Sequence, residues 1–127
     1  MKSKLRKITV EQTEYLYLVT DKYHPGTYTN TLTVKIFLKD EKQTPLIIDF
    51  LTYNHYIMGQ PLKSGIWLMN MITNSKEGVN INEPKYIQKL ILQGREKGWD
   101  GKNKMEKQNG LDYLAQVGYD IDPLKPN

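Results

Sequence analysis

Cysteine is absent from the 127 residues. That excludes disulfides, thiolate metal ligands and a cysteine nucleophile, and it fits a reducing compartment. Histidine occurs only twice, as His24 and His55, so neither the HxxxH nor the HExxH spacing of a metal site exists. GxGxxG and GxxxxGK[ST] are missing too, and the single glycines of LKSGI and LQGRE give no phosphate-cradling loop. No apolar run approaches the roughly 18 to 20 residues that span a bilayer, and MKSKLRKITV has no apolar h-region. The expectation from these absences is a cytoplasmic protein with no cofactor, no metal site, no catalytic set and no membrane partner.

Acidic residues are missing from the first ten positions, where Lys2, Lys4, Arg6 and Lys7 account for the whole net charge of +4. Beyond them 14 basic residues face 14 acidic ones. A basic stripe across a fold would point to a polyanion, whereas a basic terminus reads first as a solubility device, which argues against a nucleic-acid partner. The length suits a single domain, 1–127, with flexible tails expected at 1–4 and 121–127.

What is present is organised around one helix. In VNINEPKYIQKLILQGREKGWD, Asn82 is placed to cap an N-terminus, Ile81 to staple onto the first turn, and Pro84 sits where a missing N–H does no harm. Tyr86, Ile87, Leu90, Ile91 and Gly94 fall on one face of a 3.6-residue period, and Gly98 supplies the left-handed stop over which Trp99 folds back. The pattern predicts a helix over 83–97. It also predicts that Gly98, as the helix stop, tolerates valine less well than Gly101 does.

Upstream, Leu5 to Val10 and Tyr15 to Val19 read as two strands, and Thr31 to Leu38 as the cleanest one. Pro45 to Leu51 returns with Leu46, Ile48 and Phe50 inward. Asp21 to Asn30 is turn-rich around Pro25-Gly26. Ile66 to Thr73 is apolar on both sides and reads as a central fifth strand, followed by an NSKEG turn. A short helix starts at Asn109 or Gly110 and runs to Val117. Gly118-Tyr119-Asp120 then repeats the ending Gly98-Trp99-Asp100, and the tail IDPLKPN is ordered only if Leu124 finds a groove. The fold expected is α+β: an antiparallel sheet of about five strands, the 83–97 helix packed on one face and a short C-terminal helix beside it. Paired N-terminal strands, the Thr44-Pro45-Leu46 strand entry, the Asn82-Glu83-Pro84 helix start and the Gly-Trp-Asp helix end together resemble small uncharacterised bacterial α+β proteins of the domain-of-unknown-function type. That resemblance covers most of the chain and implies a fold, with no activity and no site residues.

The one long irregular segment is Thr52 to Gly65, which gathers Tyr53, His55, Tyr56 and Met58 within six positions and leads into the strand of Trp67. Such a loop either folds over the core as a lid or carries an interface. Tyr53, His55, Tyr56, Met58 and Trp67 are therefore the candidate binding residues, because amphipathic rings stay soluble when exposed and still anchor a partner. By elimination the leading function is a non-enzymatic protein-binding module, such as a bacterial immunity-type or antitoxin-like inhibitor, with another protein as its partner. The alternatives are a nucleic-acid-associated accessory protein using the basic N-terminus and a small enzyme using His55 with tyrosines. If the loop is a lid, the interface moves to the sheet face around Lys35 and Phe37.

Overall fold

Four consecutive strands, β1 (Arg6–Val10), β2 (Thr13–His24), β3 (Thr29–Leu38) and β4 (Glu41–Tyr53), form an antiparallel meander in the computed structural model, which describes residues 5–126. The β1–β2 connection is only Glu11 and Gln12, both left-handed at φ +49° and +69°. Two such residues give a turn whose twist matches that of the strands it joins. β2 lies between β1 and β3, which explains its large residues: Tyr15 and Tyr17 are buried. The core rows follow the register, with Leu32 beside Phe50, Val34 beside Ile48 and Ile36 beside Leu46, all fully buried. Strands β2 and β3 run further than their apolar patterns suggest, so the Pro25-Gly26 segment is a four-residue loop between His24 and Thr29.

The fifth strand of this sheet is not Ile66 to Thr73. That stretch forms β5 (Ile66–Asn70), which pairs with β6 (Ser75–Val79) in a separate two-stranded sheet, and most of NSKEG is strand. The double-sided apolar pattern misled because only Leu68 and Asn70 are buried in β5. Trp67 lies exposed across from Gly78, and Met71 and Ile72 are exposed beyond the strand. The fifth place in the main sheet belongs to β7 (Gln108–Asn109), parallel to β4 at Ile48 and Asp49. Two residues carry no readable period, so the sheet is antiparallel except at this edge.

Helix α2 (Pro84–Glu96) falls within a residue of the expected span at each end. Its N-cap is Glu83, not Asn82: the residue before a proline is held extended, and Glu83 takes ψ 136° with no side-chain cap bond. Asn80 Oδ1 accepts from Asn82 N instead, at 3.0 Å. The five expected face residues are buried, and Gly94 sits so close to Leu46 of β4 that a Cβ would collide with the leucine Cδ2.

Both helix endings are of one kind. Gly98 and Gly118 each have φ +107°, with Trp99 N donating to Gly94 O (2.9 Å) and Tyr119 N to Leu114 O (3.0 Å). The local geometry favours the opposite ranking of Gly98 and Gly101, however. Gly101 also has a positive φ, +92°, and a Cβ there would lie 2.6 Å from Leu38 Cβ, whereas Gly98 faces open space. Helix α1 (Pro61–Ser64) lies inside the segment read as irregular, and α3 (Gly110–Gln116) starts where expected, capped by Asn109 Oδ1 on Leu111 N. In the tail Leu124 is fully buried within a 3-10 turn, Asp122–Leu124. The basic tail 1–4 lies outside the described residues, while Arg6 and Lys7 belong to β1. Among the described residues no helix is long and apolar enough to cross a membrane.

Candidate functional site

The segment after β4 stands on a buried polar base. Asn30, Thr52 and Gln60 are each at most 3 % exposed. Gln60 Nε2 donates to Asn30 Oδ1 (3.0 Å) and lies 3.3 Å from Asn30 O, while its Oε1 accepts from Thr52 Oγ1 and from Leu62 N, both at 3.1 Å. Asn30 Nδ2 in turn reaches Asn54 Oδ1 (3.1 Å) and Asp21 Oδ2 (3.3 Å), and Asp21 is ion-paired with Lys63 at 3.0 Å. One side chain, Gln60, thus caps α1 and ties it to the ends of β3 and β4. A buried polar network of this kind is rigid when every member is satisfied, and no buried side-chain nitrogen or oxygen among the described residues lacks a partner. The three buried residues are dispersed at 30, 52 and 60, so nothing in the sequence joins them. The one local signal is Gln60 directly before Pro61, at the N-cap position of a helix with proline in its first turn.

On this base sits a tight turn closed by reciprocal bonds between His55 and Gly59, N to O at 2.8 Å in both directions. His55 Nδ1 accepts from Ile57 N (3.2 Å) and Met58 N (3.1 Å), which requires a neutral ring with its proton on Nε2. The Tyr56 ring stacks on the imidazole at 4.9 Å and 19°. What the turn presents is Tyr56, Ile57 and Met58, at 89 %, 74 % and 56 % exposure. A lid would turn these rings inward. Here Tyr56 stands in solvent and Tyr53 is half-buried at the strand end. His55 is scaffolding for the turn. Ile57, absent from the sequence candidates, is exposed at the tip between Tyr56 and Met58.

Trp67 is not part of this turn. It stands on β5 of the second sheet at 71 % exposure, its ring over Gly78. Behind it, the Glu77 carboxylate accepts from Tyr119 Oη at 2.6 Å and Tyr86 Oη at 2.8 Å. The Tyr119 bond, followed by that of Tyr86 and the charges of Lys85 and Lys89, holds Glu77 below the usual carboxylate range against the opposing effect of burial. Burial first, and then the carboxylate, pushes Tyr119 up to about 12 and Tyr86 further still. The two phenols are therefore fixed donors, and the cluster fastens β6 to α2 and to the exit of α3. Elsewhere Lys35 Nζ lies 5.7 Å from the centre of the Phe37 ring, and Phe37 is buried. Among the described residues no three His, Asp or Glu side chains gather as a metal site would need.

Comparison of the chain with protein-family models, with curated proteins and with solved structures gives no match.

Proposed function

We propose that the chain is a non-enzymatic protein-binding module whose contact element is the His55–Gly59 turn. One observation carries this reading: three successive large apolar side chains, Tyr56, Ile57 and Met58, project into solvent from a turn pinned by His55 Nδ1 and founded on the Asn30–Thr52–Gln60 network. Exposed apolar groups cost solubility, and ordering a loop on binding costs entropy. A pre-ordered apolar tip removes the second cost and makes use of the first. Tyrosine and methionine suit such a role, the one as a rigid amphipathic anchor and the other as an adaptable filler. In this reading α2 closes one face of the main sheet, which the approach of Gly94 to Leu46 supports, and the turn is left free for a partner. An inhibitor of the immunity or antitoxin type is the narrower form of the proposal, since such a protein needs a stable scaffold and a protruding anchor.

The experiment is co-purification from the native host with wild-type protein and with a Tyr56→Ala/Met58→Ser variant. The expected result is a specific partner lost from the variant while its unfolding midpoint stays unchanged. Retention should survive an increase in salt from about 50 to 200 mM, because an apolar anchor releases no counterions and a polyanion contact loses affinity steeply over that range. Identical captures by the two proteins, or capture that collapses with salt, would overturn the reading.

A further inference from the structure

A cleft of about 660 Å³ opens at the end of the main sheet, between the β2–β3 loop, the exit of β4 and the C-terminal segment. Tyr28, Tyr53, Pro123 and Pro126 line it, interspersed with polar and charged residues. Tyr28 is the unusual element. It holds φ +55°, a left-handed backbone that bulky residues seldom adopt, and its carbonyl is tied by Asn54 N at 2.9 Å. Glycine would satisfy that backbone with no steric cost. A large ring kept there, 72 % exposed and lining a cleft, serves the cleft more than the turn, in the way that strained positions cluster at ligand sites.

The chemistry of the lining selects a ligand class. Lys125 and Asp122, the cleft's charged side chains, are paired with each other at 3.4 Å, so neither a polyanion nor a polycation is favoured. The remaining polar side chains include the Asn54 amide and four hydroxyls, of which those of Thr27 and Thr29 bond to each other at 2.6 Å, so the donors turned to a ligand are chiefly the phenols of Tyr28 and Tyr53. A complementary ligand is uncharged, offers flat apolar faces and has more acceptors than donors. A polyproline II segment has these properties: its rings stack on aromatic and proline surfaces, its prolines have no N–H, and its carbonyls are free of internal bonds. We infer that this cleft, built from Tyr28, Tyr53, Pro123 and Pro126, binds a short proline-rich segment in the polyproline II conformation. One turn of that helix, three residues and about 9 Å long, is of a scale with a pocket in the range of about 300 to 1,000 Å³. The inference is independent of the apolar turn, which makes a different contact.

The test is an NMR titration of the ¹⁵N-labelled full chain with acetyl-decaproline amide, with a Gly/Ser decapeptide as control and maltohexaose as a neutral, hydroxyl-rich competitor. Saturable shifts confined to the amides of Thr27 to Thr29, Tyr53 and Asn54 are expected with decaproline alone. Tyr28→Gly should weaken binding by about tenfold or more with the rest of the spectrum unmoved, since glycine retains the turn, and Tyr53→Ala should weaken it independently. Met58→Ser should bind decaproline as wild type does, which separates failure of the cleft from failure of the turn. No saturation by about 5 mM, equal shifts with the Gly/Ser peptide, unchanged affinity in Tyr28→Gly, or saturation by maltohexaose in place of decaproline would each overturn the inference.

Discussion

Replacing Glu77 by glutamine removes a charge while keeping the shape of the side chain, and it touches three elements distant in sequence. The carboxylate accepts from Tyr119 Oη at 2.6 Å and from Tyr86 Oη at 2.8 Å. Hydrogen bonds to a charged group contribute about 1.5 to 3 kcal/mol each. Tyr86 has a second acceptor, Gly78 O at 3.1 Å, and can fall back on it; glutamine still offers Tyr119 a carbonyl. Glu77 is also half-buried, so water screens part of the effect. The net loss at neutral pH is therefore about 1 to 2 kcal/mol, and with a urea slope of about 2 kcal/mol/M, the middle of the usual range, the unfolding midpoint should fall by about 0.5 to 1 M. The pH dependence is the sharper part. Glu77 is held below the ordinary glutamate value in the folded protein, so its contribution is complete above about pH 5 and is lost as the pH falls through the folded value, below about 4.3. Tyr86 and Tyr119 shift upward and stay protonated throughout that window. Urea melts of wild type and Glu77→Gln should show a larger gap at pH 7 than at pH 3. An equal gap at both pH values, or no gap at pH 7, would refute the assignment of the carboxylate as the clamp.

Leu90→Ala should cost about 2 to 5 kcal/mol by denaturant unfolding, since Leu90 is 2 % exposed, whereas the neighbouring exposed Lys89→Ala should stay within about 0.5 kcal/mol. Gly101→Val should destabilise more than Gly98→Val in the same assay, because a Cβ at 101 meets Leu38 and one at 98 meets nothing; the opposite order would show that the cap conformation alone decides. Tyr56→Ala and Met58→Ser should each move the thermal midpoint little, as exposed residues do, whereas His55→Ala should increase amide exchange at Ile57 and Met58 by removing their acceptor. In alkaline solution the absorbance titration of the folded protein should show Tyr113 and Tyr119 ionising only near pH 12. Their raised values contribute stability that is complete below about pH 10 and lost as the pH rises through the folded value, so unfolding should accompany ionisation.

Local periodicity by itself determined α2, its buried face, both glycine-ended caps, the β3 and β4 core rows and the α+β class, because each of these depends on residues within a few positions of one another. The tip of the candidate site was legible in the same way, since Tyr56 and Met58 stand together in the chain and are not sandwiched in an apolar repeat. Partners far apart in sequence were decided only by tertiary structure. Gln60 has no visible relation to Asn30 until the ends of β3 and α1 meet, and Glu77, in what reads as a turn, becomes a clamp only when α2 and the α3 exit bring it Tyr86 and Tyr119. The misplacement of β5 has the same origin: Trp67 and Met71 are apolar in composition but stand in solvent, and a pattern of side-chain types records which residues can be buried, not which ones a second sheet leaves outside. Glu83 as cap and Gly101 as the tighter glycine follow likewise from the backbone restriction before Pro84 and from the position of Leu38, 63 residues away from Gly101 in the chain.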